Sequence, residues 1–280
     1  MKVLTKTIKF ILVTILTICL ISIGIISIVS STILDKTYIT EKMEETNFYK
    51  ETYELVKSNF EKYIYQSGLD EEVLENICTE EKLQKDINTI ISNIYDGTDE
   101  KIDTTEIETN LNANIDKLGI KNSKNQKAIE QFVKHICDEY TETIIHTKYE
   151  SQINAQYQKV ISLLTKIHNV IMVILIIDAI LLIIMNKKTA SKIIQDLGIA
   201  LFSSSIFKLS VCSIIMSKVN IEGIKILNDI FSKTLVTIIT DVLTKIISLG
   251  IGALLIAIIL IIIYAIISVN KKKEEETTDK

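Results

Sequence analysis

The sequence predicts an all-α integral membrane protein: four transmembrane helices, with an extracytoplasmic helical-bundle or stalk domain between the first and second. Three observations carry this. The stretch 167–185 is apolar apart from His168 and Asn169 at its start and Asp178, and is long enough, at ~1.5 Å per residue, to cross a hydrocarbon core of ~30 Å. Charge is segregated beneath a net value of −4: residues 35–167 hold 26 acids against 16 lysines, and the rest of the 280 residues hold 9 acids against 15 lysines. The chain has no proline, so no helix is forced to kink or stop for want of an N–H.

Residues 1–9, with Lys2, Lys6 and Lys9, read as a cytoplasmic N-terminus, and 10–34 as transmembrane helix 1. A cleavable signal peptide would have a shorter apolar region and a small-residue exit site, so an uncleaved anchor is expected. Residues 35–166 are the extracytoplasmic helical domain. Tyr49, Tyr53, Val56, Phe60 and Tyr63, spaced four, three, four and three, mark a heptad-like, coiled-coil seam on one helix over 35–66, which Gly68 ends. Asp70 caps a short helix through Ile77, with Glu71 and Glu72 at its positive end. Thr79 caps the next helix, which buries Leu83, Ile87, Ile90 and Ile94 before Asp96-Gly97 turns the chain. A further helix over 104–118 buries Ile107, Leu111, Ile115 and Leu118 and stops at Gly119.

From Ser123 the helical pattern runs unbroken through Val133, Cys137, Tyr140, Ile144, Tyr157 and Leu164 into transmembrane helix 2, at 167–185. Its part before 167 would extend ~65 Å, against ~48 Å for 35–66, so two long helices are expected to form an antiparallel stalk. A cytoplasmic loop at 186–196 leads to transmembrane helix 3 at 197–217, which contains Lys208. Residues 218–245 form an extracytoplasmic amphipathic helix with Ile224, Leu227, Phe231, Leu235, Ile238 and Val242 on one side. Transmembrane helix 4 is 246–269, and 270–280 is a cytoplasmic tail opening on Lys271, Lys272 and Lys273. Four spans place the lysines of both termini in the cytoplasm of a multi-pass cell-membrane protein, whereas three would put the last cluster outside.

Chemistry-bearing residues are few. His135, Glu139, Glu142 and His146 share a helical stripe and are metal-ligand types, but the apolar stripe lies on the opposite side, so a solvated face is expected and no metal. Cys78 and Cys137 lie outside the spans, where a disulfide is open to them; a small buried thiol is the alternative reading of Cys137. The acidic runs fall at helix starts and exposed faces. No catalytic or cofactor motif occurs, so neither an enzyme nor a cofactor is expected, and an acidic domain repels nucleic acid. Asp178 and Lys208, the charges deep within spans, are expected at matching depth on neighbouring helices as a structural ion pair, which would offset an insertion cost of roughly 2.5–3.5 kcal/mol each. Lysine snorkelling and a protonated aspartate are the alternatives.

The run YIYQSGLDEEVLENICTEEKLQKDINTIISNIYDG, with the later KID and DLGIALFSSS, resembles a set of four-span membrane proteins of clostridial and related low-GC Gram-positive bacteria, whose activity is uncharacterised. The resemblance implies the topology above and no site residues. The span order also looks like that of FtsX/MacB-type permeases, but the cytoplasmic pieces are too short to offer an ATPase much surface. The expected function is therefore non-enzymatic: binding, scaffolding or sensing by the outer domain, with a protein partner or a second copy of the chain, in the lipid bilayer. An accessory or permease-like subunit of a transport complex is the alternative.

Overall fold

The computed structural model of the chain describes residues 2–67, 69–120, 126–144, 147–187, 189–226 and 228–278. Among them the regular elements are helices: α1 (Lys2–Ser30), α2 (Lys36–Glu45), α3 (Phe48–Ser67), a single 3-10 turn (Glu71–Leu74), α4 (Glu80–Asp96), α5 (Thr105–Lys117), α6 (Gln126–Ile144), α7 (Thr147–Asn186), α8 (Ser191–Lys218) and α9 (Asp229–Thr278). Four stretches are long and apolar enough to cross a membrane: Leu4–Ser30, Ala155–Asn186, Ser191–Lys218 and Asp229–Lys271. The chain divides into an apolar unit (Met1–Ile33, Ser162–Ile224, Ile238–Lys280) and an acidic unit (Leu34–Ile161, Lys225–Thr237), so α7 and α9 each contribute to both.

The acidic unit has its own core. Helix α3 packs on α2, α4 and α6, and α5 packs on α6 and the 3-10 turn. Each helix gives the face that its 3–4 spacing predicts: Val56 and Phe60 from α3, Leu83 and Ile87 from α4, Ile107, Leu111 and Ile115 from α5, Val133, Ile136 and Tyr140 from α6, all buried. Tyr63 departs from the expected seam and lies at the surface. Local signals set the helix ends. The Asp70 carboxylate accepts the Glu72 N–H, the Thr79 hydroxyl accepts the Lys82 N–H at 3.2 Å, and Gly97 takes the left-handed conformation, φ +70°, that closes α4. Asn93 then holds the returning loop, its amide donating to the Glu100 carbonyl and its oxygen accepting from Thr98 and the Glu100 N–H.

Two expectations about long helices are corrected. The helix over 35–66 is broken at Asn47, whose φ is +58°; the Thr46 hydroxyl bonds back to the Lys42 carbonyl, and α3 restarts at Phe48. Asparagine tolerates this left-handed conformation, so the break carries neither glycine nor proline to announce it. The helix expected from 123 into the second span is seen as α6 and α7, and its continuity across 145–146 falls outside the described residues. Residues 123 and 145–146, like Gly68 and Leu227, lie outside the described residues. Helix α6 is folded into the core against α3 and α5. Finally, 218–245 is not a separate amphipathic helix. Helix α8 ends at Lys218, residues 220–224 turn, and α9 then runs from Asp229 to Thr278 with no break near 245. No helix breaker stands there, and Asp241 and Lys245 pair one turn apart at 3.1 Å.

The start of α9 belongs to the acidic unit. Asn228 caps it by accepting the Phe231 N–H, Phe231 meets Phe48 edge to face with ring centroids 4.9 Å apart, and the Thr234 and Thr46 hydroxyls bond at 2.8 Å. A polar group is buried in the same core. Asp86, 6% exposed, accepts a 2.6 Å bond from the Tyr140 hydroxyl and a 2.9 Å bond from Lys82, which also donates to the Asp103 carbonyl. The group thus ties α4 to α6 and to the chain entering α5. Replacing Tyr140→Phe keeps the packing and removes one bond to a charged acceptor, and should cost about 1.5–3 kcal/mol of stability. Thermal melting in detergent checks this; an unchanged midpoint would show that the Asp86 group contributes nothing.

Candidate functional site

A concavity of the acidic unit, about 670 Å³, opens between α3 and the 3-10 turn. The buried core residues Val56, Phe60 and Ile77 line it, together with Glu61, Glu71, Glu72 and Glu75 against Lys57 and Lys117. The rim therefore bears two more negative than positive charges. Asn114 on α5 fixes this wall, its amide donating to the Val73 and Glu75 carbonyls at 3.0 and 2.8 Å. The volume falls within the ~300–1,000 Å³ typical of small-molecule sites, with the usual apolar floor and convergent polar groups.

The His/Glu stripe is used otherwise. Glu139 accepts hydrogen bonds from Asn59 at 2.9 Å and from the Tyr63 hydroxyl at 3.1 Å, the His135 ring lies parallel to Tyr63, and Glu142 is exposed. His146 lies outside the described residues. Among the described residues no three His, Cys, Asp or Glu side chains come together as a metal site.

Cys78 and Cys137 are free thiols, which corrects the disulfide reading. The Cys78 sulfur faces the Thr79 carbonyl at 3.5 Å, and Cys137 is half-buried on α6. Burial is the main reason that the Cys78 thiol is pushed up from 9.0 to about 11; burial likewise raises Cys137.

No protein-family model, no curated protein and no solved structure matches this chain. The geometry is what speaks for its function.

In the apolar unit α1 packs along α8, and one polar cluster sets their register. Lys9 of α1 pairs with Asp196 of α8 at 2.9 Å and donates to Asn186 of α7 at 3.2 Å; Asn186 in turn donates to Asp196 at 2.8 Å. Asp196 and Asn186 are 3% and 4% exposed, so the three helices meet at a paired point that is buried except on its Lys9 side. Beyond it comes an apolar layer of Leu12, Leu16, Leu182 and Ala200. Every fourth residue of α8 is buried: Asp196, Ala200, Ser204, Lys208, Cys212. That stripe is readable in the sequence, but its polar members look alike until a partner fixes the depth of one of them.

The expected Asp178–Lys208 ion pair is not formed. Lys208 donates to Ser204 at 3.0 Å, and neither carboxylate oxygen of Asp178 has a hydrogen-bond partner, though the residue is only 2% exposed. The register explains the miss. From the Asn186–Asp196 contact, Asp178 is eight residues along α7, ~12 Å, and the residue eight along α8 is Ser204; Lys208 is one turn farther, ~6 Å. Measuring depth from the span ends put the two charges level.

Both thiol assignments are testable together. Alkylation after denaturation without reductant should modify four cysteines, and two would reveal a disulfide. In the folded protein Cys78 should stay unmodified at pH 8, because its thiolate appears only near pH 11, well above the ordinary 9.0. Fast labelling of Cys78 at pH 8 would contradict its burial.

Proposed function

We propose that this chain is a non-enzymatic multi-pass protein of the cell membrane that works by binding, through the acidic unit held on the outer side. The observation that carries the reading is the cavity over Val56 and Phe60, walled by a turn that Asn114 holds in place. Its acidic rim favours a cationic or basic-faced ligand.

The orientation rests on the lysines beside the first and last spans. In a cysteine-free full chain, a membrane-impermeant maleimide should label single cysteines at positions 88 and 228 in intact cells and spare those at 189 and 277. Labelling at 277 but not at 88 would invert the arrangement. A photo-crosslinking residue at Leu74, inside the cavity, should capture a discrete partner or ligand that the same residue at Glu108, away from it, does not.

The alternative, an accessory subunit of a transport complex, draws on the buried Asp178, Asp196 and Lys208 and the half-buried Lys9 within or beside the spans. Stoichiometric recovery of a nucleotide-binding ATPase with the full chain in mild detergent would favour it. No adduct at Leu74 would remove the support for the first reading.

A further inference from the structure

We propose that Asp178 is a reversible proton-binding site within the apolar unit, its carboxyl carrying a proton at neutral pH. Among the described residues, the two oxygens of Asp178 are the buried side-chain polar atoms left without a hydrogen-bond partner; every other such group is satisfied. A carboxylate in that state is an unsolvated, unpaired charge, whereas the carboxylic acid is neutral and loses far less by leaving water.

The surroundings decide what neutralises it. Leu182 lies one turn along α7 in the apolar layer with Leu12, Leu16 and Ala200, and Cys19 of α1 is itself buried. A metal ion would want several oxygen ligands, and of the two buried hydroxyls level with Asp178 on α8, Ser204 already accepts from Lys208 and Ser205 donates to the Leu201 carbonyl. A proton needs no such shell.

The charged and titratable groups are few on every helix of the unit. Helix α1 offers Cys19 and, at the far end, Lys2, Lys6 and Lys9, the last committed to Asp196. Helix α7 has none other between His168 and Lys187. Helix α8 between Lys192 and Lys218 has Asp196, Lys208 and Cys212, and α9 between Lys245 and Lys271 has Tyr264 alone. Lys208 is thus the cation nearest in depth, one turn away and held by Ser204. Release of the proton to water leaves a carboxylate, which Lys208 can then take as its partner by leaving Ser204. The loaded site is neutral; the emptied one becomes the ion pair.

A membrane-permeant carbodiimide, N,N′-dicyclohexylcarbodiimide, reads the loaded state directly. The carboxyl O–H adds across one C=N bond, the proton going to nitrogen and the oxygen to the central carbon. The O-acylisourea then shifts its acyl group to nitrogen, so the whole reagent mass is retained and nothing leaves. An ordinary aspartate, with pKa ~3.9, is protonated only about once in a thousand molecules at pH 7. Full-length protein in its membrane should therefore be labelled on the peptide carrying Asp178 at pH 7, with labelling that falls as pH rises, persists in Lys208→Met, is unaffected by sodium or potassium, and is absent in Asp178→Asn. As a second reading, Asp178→Asn, the neutral isostere, should leave the detergent melting temperature within about 2 °C. Absence of labelling between pH 5 and 9, protection by sodium or potassium, or a large fall in the melting temperature of Asp178→Asn would each overturn the proposal in favour of a standing ion pair or a bound metal cation.

Discussion

The contact among Lys9, Asn186 and Asp196 fixes the apolar unit. Long apolar helices slide past one another at little cost, because one leucine layer resembles the next. A charge pair with a bridging amide has one register only, and moving either helix by a turn would strand the buried Asp196. Once α1, α7 and α8 are pinned there, the leucine layer, the Ser204–Lys208 bond and the isolation of Asp178 follow from counting residues along the helices.

The acidic unit is specified differently. Its helices are short and strongly amphipathic, and side chains rather than long-range charge define where each one stops: Asp70, Thr79, Asn93 and Gly97 around α4, Asn114 behind the 3-10 turn. The buried Asp86 accepts from both Tyr140 and Lys82, so the one charge in the centre of the core selects the pairing of α4 with α6. The cavity lies between the end of α3 and the turn that Asn114 holds.

The helices, most caps and the buried faces were legible in the sequence because each is a local pattern: leucines and isoleucines at 3–4 spacing, Thr79 before Glu80 and Glu81, Gly97 after Asp96. What was not legible depends on partners distant in the chain. Asn47 breaks a helix without glycine or proline, since asparagine accepts φ +58°. The Asp178–Lys208 pair failed because depth was counted from the span ends, while the true reference, Asn186 on Asp196, is a tertiary contact. The cavity left no trace in the pattern, because Val56, Phe60 and Ile77 read as ordinary core positions. The His135 and Glu139 stripe illustrates the converse: its placement on one face was readable, while its use, stacking on Tyr63 and holding Asn59, was not.

If the Lys9–Asn186–Asp196 contact sets the register, then position 178 must lie level with 204 and not with 208. Pairs of cysteines placed at 178 and 204, and at 178 and 208, in an otherwise cysteine-free full chain in its membrane measure this directly with a short bismaleimide. The register account requires faster cross-linking of 178 with 204, and loss of that preference when Asp196→Ala frees the helices. Faster cross-linking of 178 with 208 in the intact register would contradict it.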